Sequence, residues 1–264
     1  LGKPVTVRVS TPEPNKKDQH FNGVVSRFAQ GQKDNRVTSY YMEVVPWLWF
    51  LTQTTDLRIF QKKSVPDIIQ QIFKDLGFSD FQMKVQGSFE PREYCVQYRE
   101  SDFAFVSRLM EEEGIFYFFE HSDGKHVMVI GNEPGIHKPN GSFAKYRYVP
   151  KGGEDKEQGG VTAWRQGQAF RSGKYALNDY YFETPASDQK INVPTQFKVG
   201  GNDKFEVYDY PGMFAKRFDG DDKASKVRPD GERTVKLWMQ AIEAQHKEVE
   251  GESTLIGMSS GFKF

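Results

Sequence analysis

Apolar and polar residues alternate with a period of two along the first sixty positions of the chain. In PVTVRVS, Val5, Val7 and Val9 fall on one side and Thr6, Arg8 and Ser10 on the other, as in a strand, where successive side chains point to opposite faces. FNGVVSRF and VTSYYMEVVPWLWFL follow, separated by the polar stretch GQKDNR, which predicts an exposed turn. Strands joined without helices predict an antiparallel sheet or barrel. Pro46 interrupts the third run and predicts a strand end, an edge or a bulge, because proline lacks the N–H a ladder requires. WLWFL, at 47–51, reads as a core strand buried on both faces, with a surface meeting another subunit as the alternative.

From residue 61 the period lengthens. Ser64 opens SVPD, where its hydroxyl can cap a helix and Asp67 can answer three residues later. Val65, Ile68, Ile69, Ile72, Phe73 and Leu76 then recur at helical spacing, and Gly77 supplies a left-handed stop. A second helix is predicted from Ser101 to Gly114, with Phe103, Val106, Leu109 and Met110 as its apolar face. Glu111, Glu112 and Glu113 sit against the negative end of that helix and are expected to be a solvated terminus, or else a contact for a basic partner. IFYFFEHSDGKHVMVI predicts a hairpin turning at Asp123-Gly124. The sum is an α+β unit.

Beyond it the chain is loop-like from Pro134 to Gly160, which suggests a domain boundary near 150. VTAWRQGQAF, YALNDYYFETP, INVPTQFKV and DKFEVYDYPG read as further short strands. Residues 219–231 read as a charged loop, and GERTVKLWMQAIEAQHKEVEG as a helix turning Val235, Trp238 and Ile242 inward. STLIGMSSGFKF allows one more strand.

Charge narrows the function. Of 264 residues, 36 are Lys or Arg and 36 are Asp or Glu, so no basic excess supports a general grip on nucleic acid. Aromatic residues make up 14%, which favours sheet. The longest apolar run, Val44 to Leu51, is far short of a bilayer span. The opening LGKPVTVRVS is neither a signal peptide nor a targeting helix, and without an initiator Met a native start upstream is expected. Cys95 is the single cysteine; it excludes an internal disulfide, and its place in YCVQY predicts a buried, inert thiol.

Residue types that carry chemistry do not converge. His121 and His126 flank the hairpin turn and can approach each other, but no third metal ligand stands at fitting spacing; both read as solvent-facing turn residues. His246 reads as a surface position on the last helix. Glu90 and Glu93 are a nominal carboxylate pair for glycoside hydrolysis, although acidic residues beside Pro91 more often mark a turn. DGDD at 219–222 resembles a calcium loop without its twelfth-position glutamate. FAKRF, at 214–218, interleaves aromatic and basic residues as single-strand binders do, but reads better as packing. No dinucleotide fingerprint, phosphate loop or nucleophile elbow is present, and MSSG offers hydroxyls without a nucleophile's context. No catalytic, cofactor-binding or metal-binding residue is nominated.

Two blocks resemble a known family. EVVPWLWFLTQTTDLRIFQKKSVPDIIQQIF (43–73) and, more specifically, REYCVQYRESDFAFVSRLMEEEGIFYFFEH (92–121) are similar to VgrG, the spike protein of type VI secretion; FNGVVSRF, EVYDYPG and HKEVEGES fall in the expected order. The resemblance implies a β-rich α+β fold similar to phage tail hubs. It would comprise a first β-barrel over 1–57, incomplete at its start, an α+β insertion over 58–145, and a second, related barrel over 146–264 with a C-terminal helix. It implies a non-catalytic, homotrimeric base of the puncturing spike that caps the hexameric Hcp tube, meets baseplate components and effectors, and needs no cofactor. The needle that contacts a target membrane would lie downstream. The protein would assemble in the bacterial cytoplasm and then be secreted. A cell-wall glycosidase and a carbohydrate- or nucleic-acid-binding module are the competing readings.

Overall fold

The computed structural model describes residues 1–10, 18–34, 36–140, 145–149, 160–218 and 223–263. β1 (Pro4–Val9), the long β2 (Gln19–Lys33) and β3 (Thr38–Val45) form one antiparallel sheet in that order. The predicted alternation is present, but the sheet is only thinly covered: Val5 and Val9 are half-buried and Val7 is exposed. β2 turns Asn22 and Val25 inward.

The segment WLWFL is not a strand. Residues Trp47–Gln53 form a 3₁₀ helix, which buries Trp47, Leu48 and Leu51. Pro46 (φ −64°) ends the strand run, and the buried positions then recur every third or fourth residue, as a helical turn demands. The Trp47 ring stacks on Phe78 at 4.8 Å and meets Phe73 edge-on at 5.0 Å.

β4 (Thr55–Phe60) pairs antiparallel with β6 (Cys95–Ser101). Between them lie α1 (Val65–Asp75) and β5 (Phe81–Met83); α2 (Asp102–Glu113), β7 (Phe116–Ser122) and β8 (Lys125–Gly131) follow. The caps are those the sequence predicts. Ser64 and Ser101 accept from the N–H groups of Asp67 and Ala104, and Gly77 (φ 81°) and Gly114 (φ 67°) are left-handed. Asp67 answers the Ser64 hydroxyl at 2.5 Å. The hairpin turns at Gly124 (φ 72°). These elements enclose a core of Trp47, Leu51, Ile68, Ile72, Phe73, Phe105, Leu109, Met128 and Ile130. Phe105 belongs to the buried face of α2, whereas Phe103 only packs at its margin.

After the two-residue β9 (Lys138–Pro139), β10 (Val161–Gln168) leads into β11 (Lys174–Leu177). β11 is central in a second sheet, with β12 (Ile191–Pro194) antiparallel on one side and β13 (Glu206–Asp209) parallel on the other. α3 (Ala224–Ala244) covers that sheet and closes a second core of Tyr175, Leu177, Ile191, Phe214, Val227, Val235 and Met239. The helix begins within the stretch expected to be a charged loop. Pro229 lies close enough to its start that few bonds are lost, and Val227, 1% exposed, anchors the added turns. The inward stripe is Val227, Val235 and Met239; Trp238 instead lies half-exposed, stacked on Tyr175. The helix stops before His246, and β14 (Lys247–Ser253) returns along β10 as an exposed ribbon. β15 (Phe262–Lys263) pairs parallel with β9.

The architecture is β-rich α+β. Among the described residues the strands make six small open sheets, and none closes into a barrel. DGDD lies outside the described residues.

Candidate functional site

The surface that most needs an explanation is apolar. In the β2–β3 register Phe28 faces Met42, and its ring stacks on Tyr40 at 5.7 Å, yet all three are exposed. On β4 and β6, Leu57 faces Tyr98 and Ile59 faces Val96. Strand alternation sends Arg58, Phe60, Cys95 and Gln97 inward, so Leu57 (60% exposed), Ile59 (58%) and Tyr98 (65%) point out. Single exposed apolar residues are ordinary, but clusters on open sheets mark surfaces that meet something.

The charged groups around the end of α2 are matched within the chain. Glu113 is buried and accepts from Arg92 at 2.8 Å, and Arg233 of α3 holds its other oxygen at 2.8 Å. Glu112 accepts from Arg92 at 2.6 Å and from Arg108 at 3.2 Å, and Arg108 also meets Glu100 at 2.7 Å. The glutamate run is therefore no solvated helix end; only Glu111 is exposed. Arg92 and Arg233, which no local pattern reveals, join Arg108, one turn back on α2, in offsetting the unfavourable dipole. Burial opposes the charge on Arg92, but Glu112 and Glu113 outweigh it and hold the guanidinium above its ordinary value. Burial likewise opposes the Glu112 carboxylate, and Arg92 outweighs it and holds that pKa low.

Glu90 and Glu93 pair with Lys226 (2.9 Å) and Lys223, tying the α+β unit to the start of α3. They face lysines rather than one another across a cleft, so the structure places them as cross-links. Phe214 and Phe218 of FAKRF are buried in the second core and offer no stacking platform. Ser259 of MSSG accepts from Gln19 Nε2 at 2.7 Å. Among the described residues no group of three or more His, Cys, Asp or Glu is arranged to hold a metal. An open groove of about 550 Å³ between α3 and β12 carries Lys190, Arg228, Glu232 and Lys236. Cys95 is buried, and burial is the main cause raising its thiol pKa.

Two histidines differ from their sequence reading. His126 is buried, 6% exposed, and bonded on both nitrogens; its ring lies 6.0 Å from that of the exposed His121. His246 is buried beyond the helix end, stacked on Phe197 at 5.0 Å with Nδ1 2.8 Å from the Ala169 carbonyl. Hairpin flanks usually face water. Here the β1–β3 sheet lies over one flank and removes it.

The family model for the phage tail baseplate hub matches residues 1–264. The chain belongs to that family. Over all 264 residues it is 36% identical to the type VI secretion system spike protein VgrG1b of Pseudomonas aeruginosa and 35% identical to VgrG1c of the same organism, in each case spanning 34% of the relative. The chain thus covers about a third of the curated relatives it matches, and the similarity to VgrG read from residues 43–73 and 92–121 is borne out. Among solved structures, the tail protein from Neisseria meningitidis MC58 superposes with a TM-score of 0.55 at 8% identity, over 88% of this chain and 65% of that one. The E. coli c3393 protein, a type VI secretion component similar to the T4 tail proteins gp27 and gp5, superposes with a TM-score of 0.50 at 21% identity, over 58% of this chain and 40% of that one. At such identities the likeness establishes the fold. No helix among the described residues is long and apolar enough to cross a membrane.

Proposed function

We propose that this chain is the hub, or base, of a type VI secretion spike, acting by assembly rather than catalysis. The observation that carries the reading is the match of the whole chain to the baseplate hub family together with 36% identity to a spike protein. In this reading three copies assemble, the trimer caps the hexameric Hcp tube, and the needle and effectors it delivers lie downstream. The protein assembles in the cytoplasm and leaves the cell with the spike. The chain divides into a first barrel region at 1–57, an α+β insertion at 58–145 and a second barrel region at 146–264, with barrel closure supplied by neighbouring copies or flanking chain. The outward apolar residues of β2–β3 and β4–β6 support this, since a threefold ring joins one surface to a different one on the next copy. Nucleic acid has no part in it.

Sedimentation over a concentration series, at low and high salt, tests the reading. A mass of three chains that persists in high salt is expected of an apolar interface. A monomer at every concentration, or a trimer that salt dissolves, contradicts it. Turnover of peptidoglycan that is lost on Glu90→Gln would overturn the non-catalytic role.

A further inference from the structure

Two imidazoles stand between the β1–β3 sheet and the α+β core, and both are placed as hydrogen-bond acceptors. The Asn22 side-chain amide donates to the Val5 carbonyl (3.3 Å) and to Thr6 Oγ1 (2.8 Å). This settles which end of the amide is nitrogen, so Asn22 Oδ1, 2.7 Å from His126 Nδ1, is an acceptor. His126 Nδ1 therefore carries the proton, and Nε2 keeps its lone pair. Nε2 accepts the backbone N–H of Trp47 at 2.9 Å. On the facing strand, His121 Nδ1 accepts the backbone N–H of Asn22 at 3.2 Å. One residue of β2 is thus held by both histidines, through its side chain by one and its backbone by the other.

A second proton on either ring would turn an acceptor into a donor aimed at an immovable backbone donor. We infer that His121 and His126 form an acid-labile latch: a second proton on His121 ends its bond to the β2 backbone, and one on His126 ends its bond to Trp47 while Nδ1–H keeps Asn22, so the β1–β3 sheet and the Trp47 turn that follows β3 loosen together in acid. The inference stands on this geometry and does not depend on the hub reading.

The surroundings favour the closed state at neutral pH. Desolvation, nearly complete at the buried His126 and partial at His121, where the β1–β3 sheet covers one side of an otherwise exposed ring, is the first cause holding both imidazoles below the ordinary histidine value, and His121 adds repulsion at His126. Asp80 is the carboxylate whose field favours imidazolium at His126, and Lys125 pairs with it at 2.7 Å. From β2 and β1, His20 and its cross-strand partner Arg8 lie two residues along the Asn22 face; from β7, Glu120 alternates to the opposite face of the hairpin. The Phe21 and Phe119 rings and the Trp47 backbone complete the contacts. A bond from the Gly124 N–H to Thr6 Oγ1 (3.1 Å) also ties the sheet to the hairpin and does not titrate.

Hydrogen exchange of the whole chain at about pH 7.5 and about pH 5, corrected for intrinsic rates, reads the latch directly. Protection of β1–β3 amides, and of Trp47, should fall about tenfold relative to α1 and β8 at the lower pH. An unchanged ratio overturns the inference. His126→Gln puts a carbonyl oxygen near the place of Nε2 and keeps the Trp47 bond without a titrating group, so the pH-dependent loss at Trp47 should vanish while the part that His121 governs in β2 remains; a loss at Trp47 equal to that of the unaltered chain overturns the inference. Nitrogen NMR of the unaltered chain is independent of how any variant folds. It should find His126 protonated on Nδ1 at neutral pH, and an Nε2–H tautomer overturns the assignment.

Discussion

Arg233 of α3 lies 2.8 Å from the carboxylate of Glu113, the last residue of α2. This contact joins the two apolar cores at a point where Glu113 and the Arg92 that shares it are both nearly dry, at 7% and 8% side-chain exposure. Charges so placed are costly unless matched, so the arrangement specifies how α3 sits on the α+β unit.

Glu113→Gln removes the charge that matches Arg92 and leaves the guanidinium buried. Stability should drop by about 3–5 kcal/mol, read from the urea midpoint at constant slope. A loss below about 1 kcal/mol would show that Glu112 alone satisfies Arg92.

Gly231 sits inside α3, where alanine would ordinarily stabilise by about 1 kcal/mol. A Cβ there would come within 2.6 Å of Ile191 Cδ1 and 2.8 Å of Phe214 Cε2. Overpacking of that kind costs about 1–3 kcal/mol. Gly231→Ala should therefore destabilise on balance, and a raised melting temperature would refute the close approach of α3 to β12.

Phe28→Asp changes an exposed residue on a sheet face. If that face is an assembly surface, the variant should weaken self-association at least tenfold while its unfolding midpoint stays within about 0.5 kcal/mol of the unaltered chain. Equal association of both proteins in sedimentation would remove this face from the interface.

Stability should decline in acid for a stated reason. The folded-state pKa values of His121 and His126 are depressed by desolvation, partial at His121 and nearly complete at His126, so the unfolded chain binds protons more readily. Their contribution is complete above the ordinary histidine value of about 6.5 and is lost as pH falls below it. Urea midpoints between neutral and mildly acidic pH should fall for the unaltered chain and fall less for His126→Gln.

The Cys95 thiol, raised by burial, should react with iodoacetamide more slowly in the folded chain than in urea. Equal rates would mean that β6 opens readily.

The chain's own order of residues determined whatever depends on neighbours close in sequence. Ser64, Gly77, Ser101, Gly114 and the Asp123-Gly124 turn mark their elements because caps and turns are satisfied within four residues. Alternation in YCVQY was enough to bury Cys95, and the two signature blocks were enough to show the family. The tertiary structure decided what depends on distant partners. WLWFL coils because Phe73 and Phe78 receive Trp47; α3 begins early because Val227 finds the second core; the glutamates of α2 are tolerated because Arg92 and Arg233, distant along the chain, converge on them. The histidines make the same point most sharply. A hairpin flank looks solvent-facing in sequence, and only the β1–β3 sheet, whose Asn22 lies 104 residues away along the chain, makes His126 a buried acceptor. Local signals act through short-range sterics and hydrogen bonds, whereas burial and charge are set by groups that only the fold brings into contact.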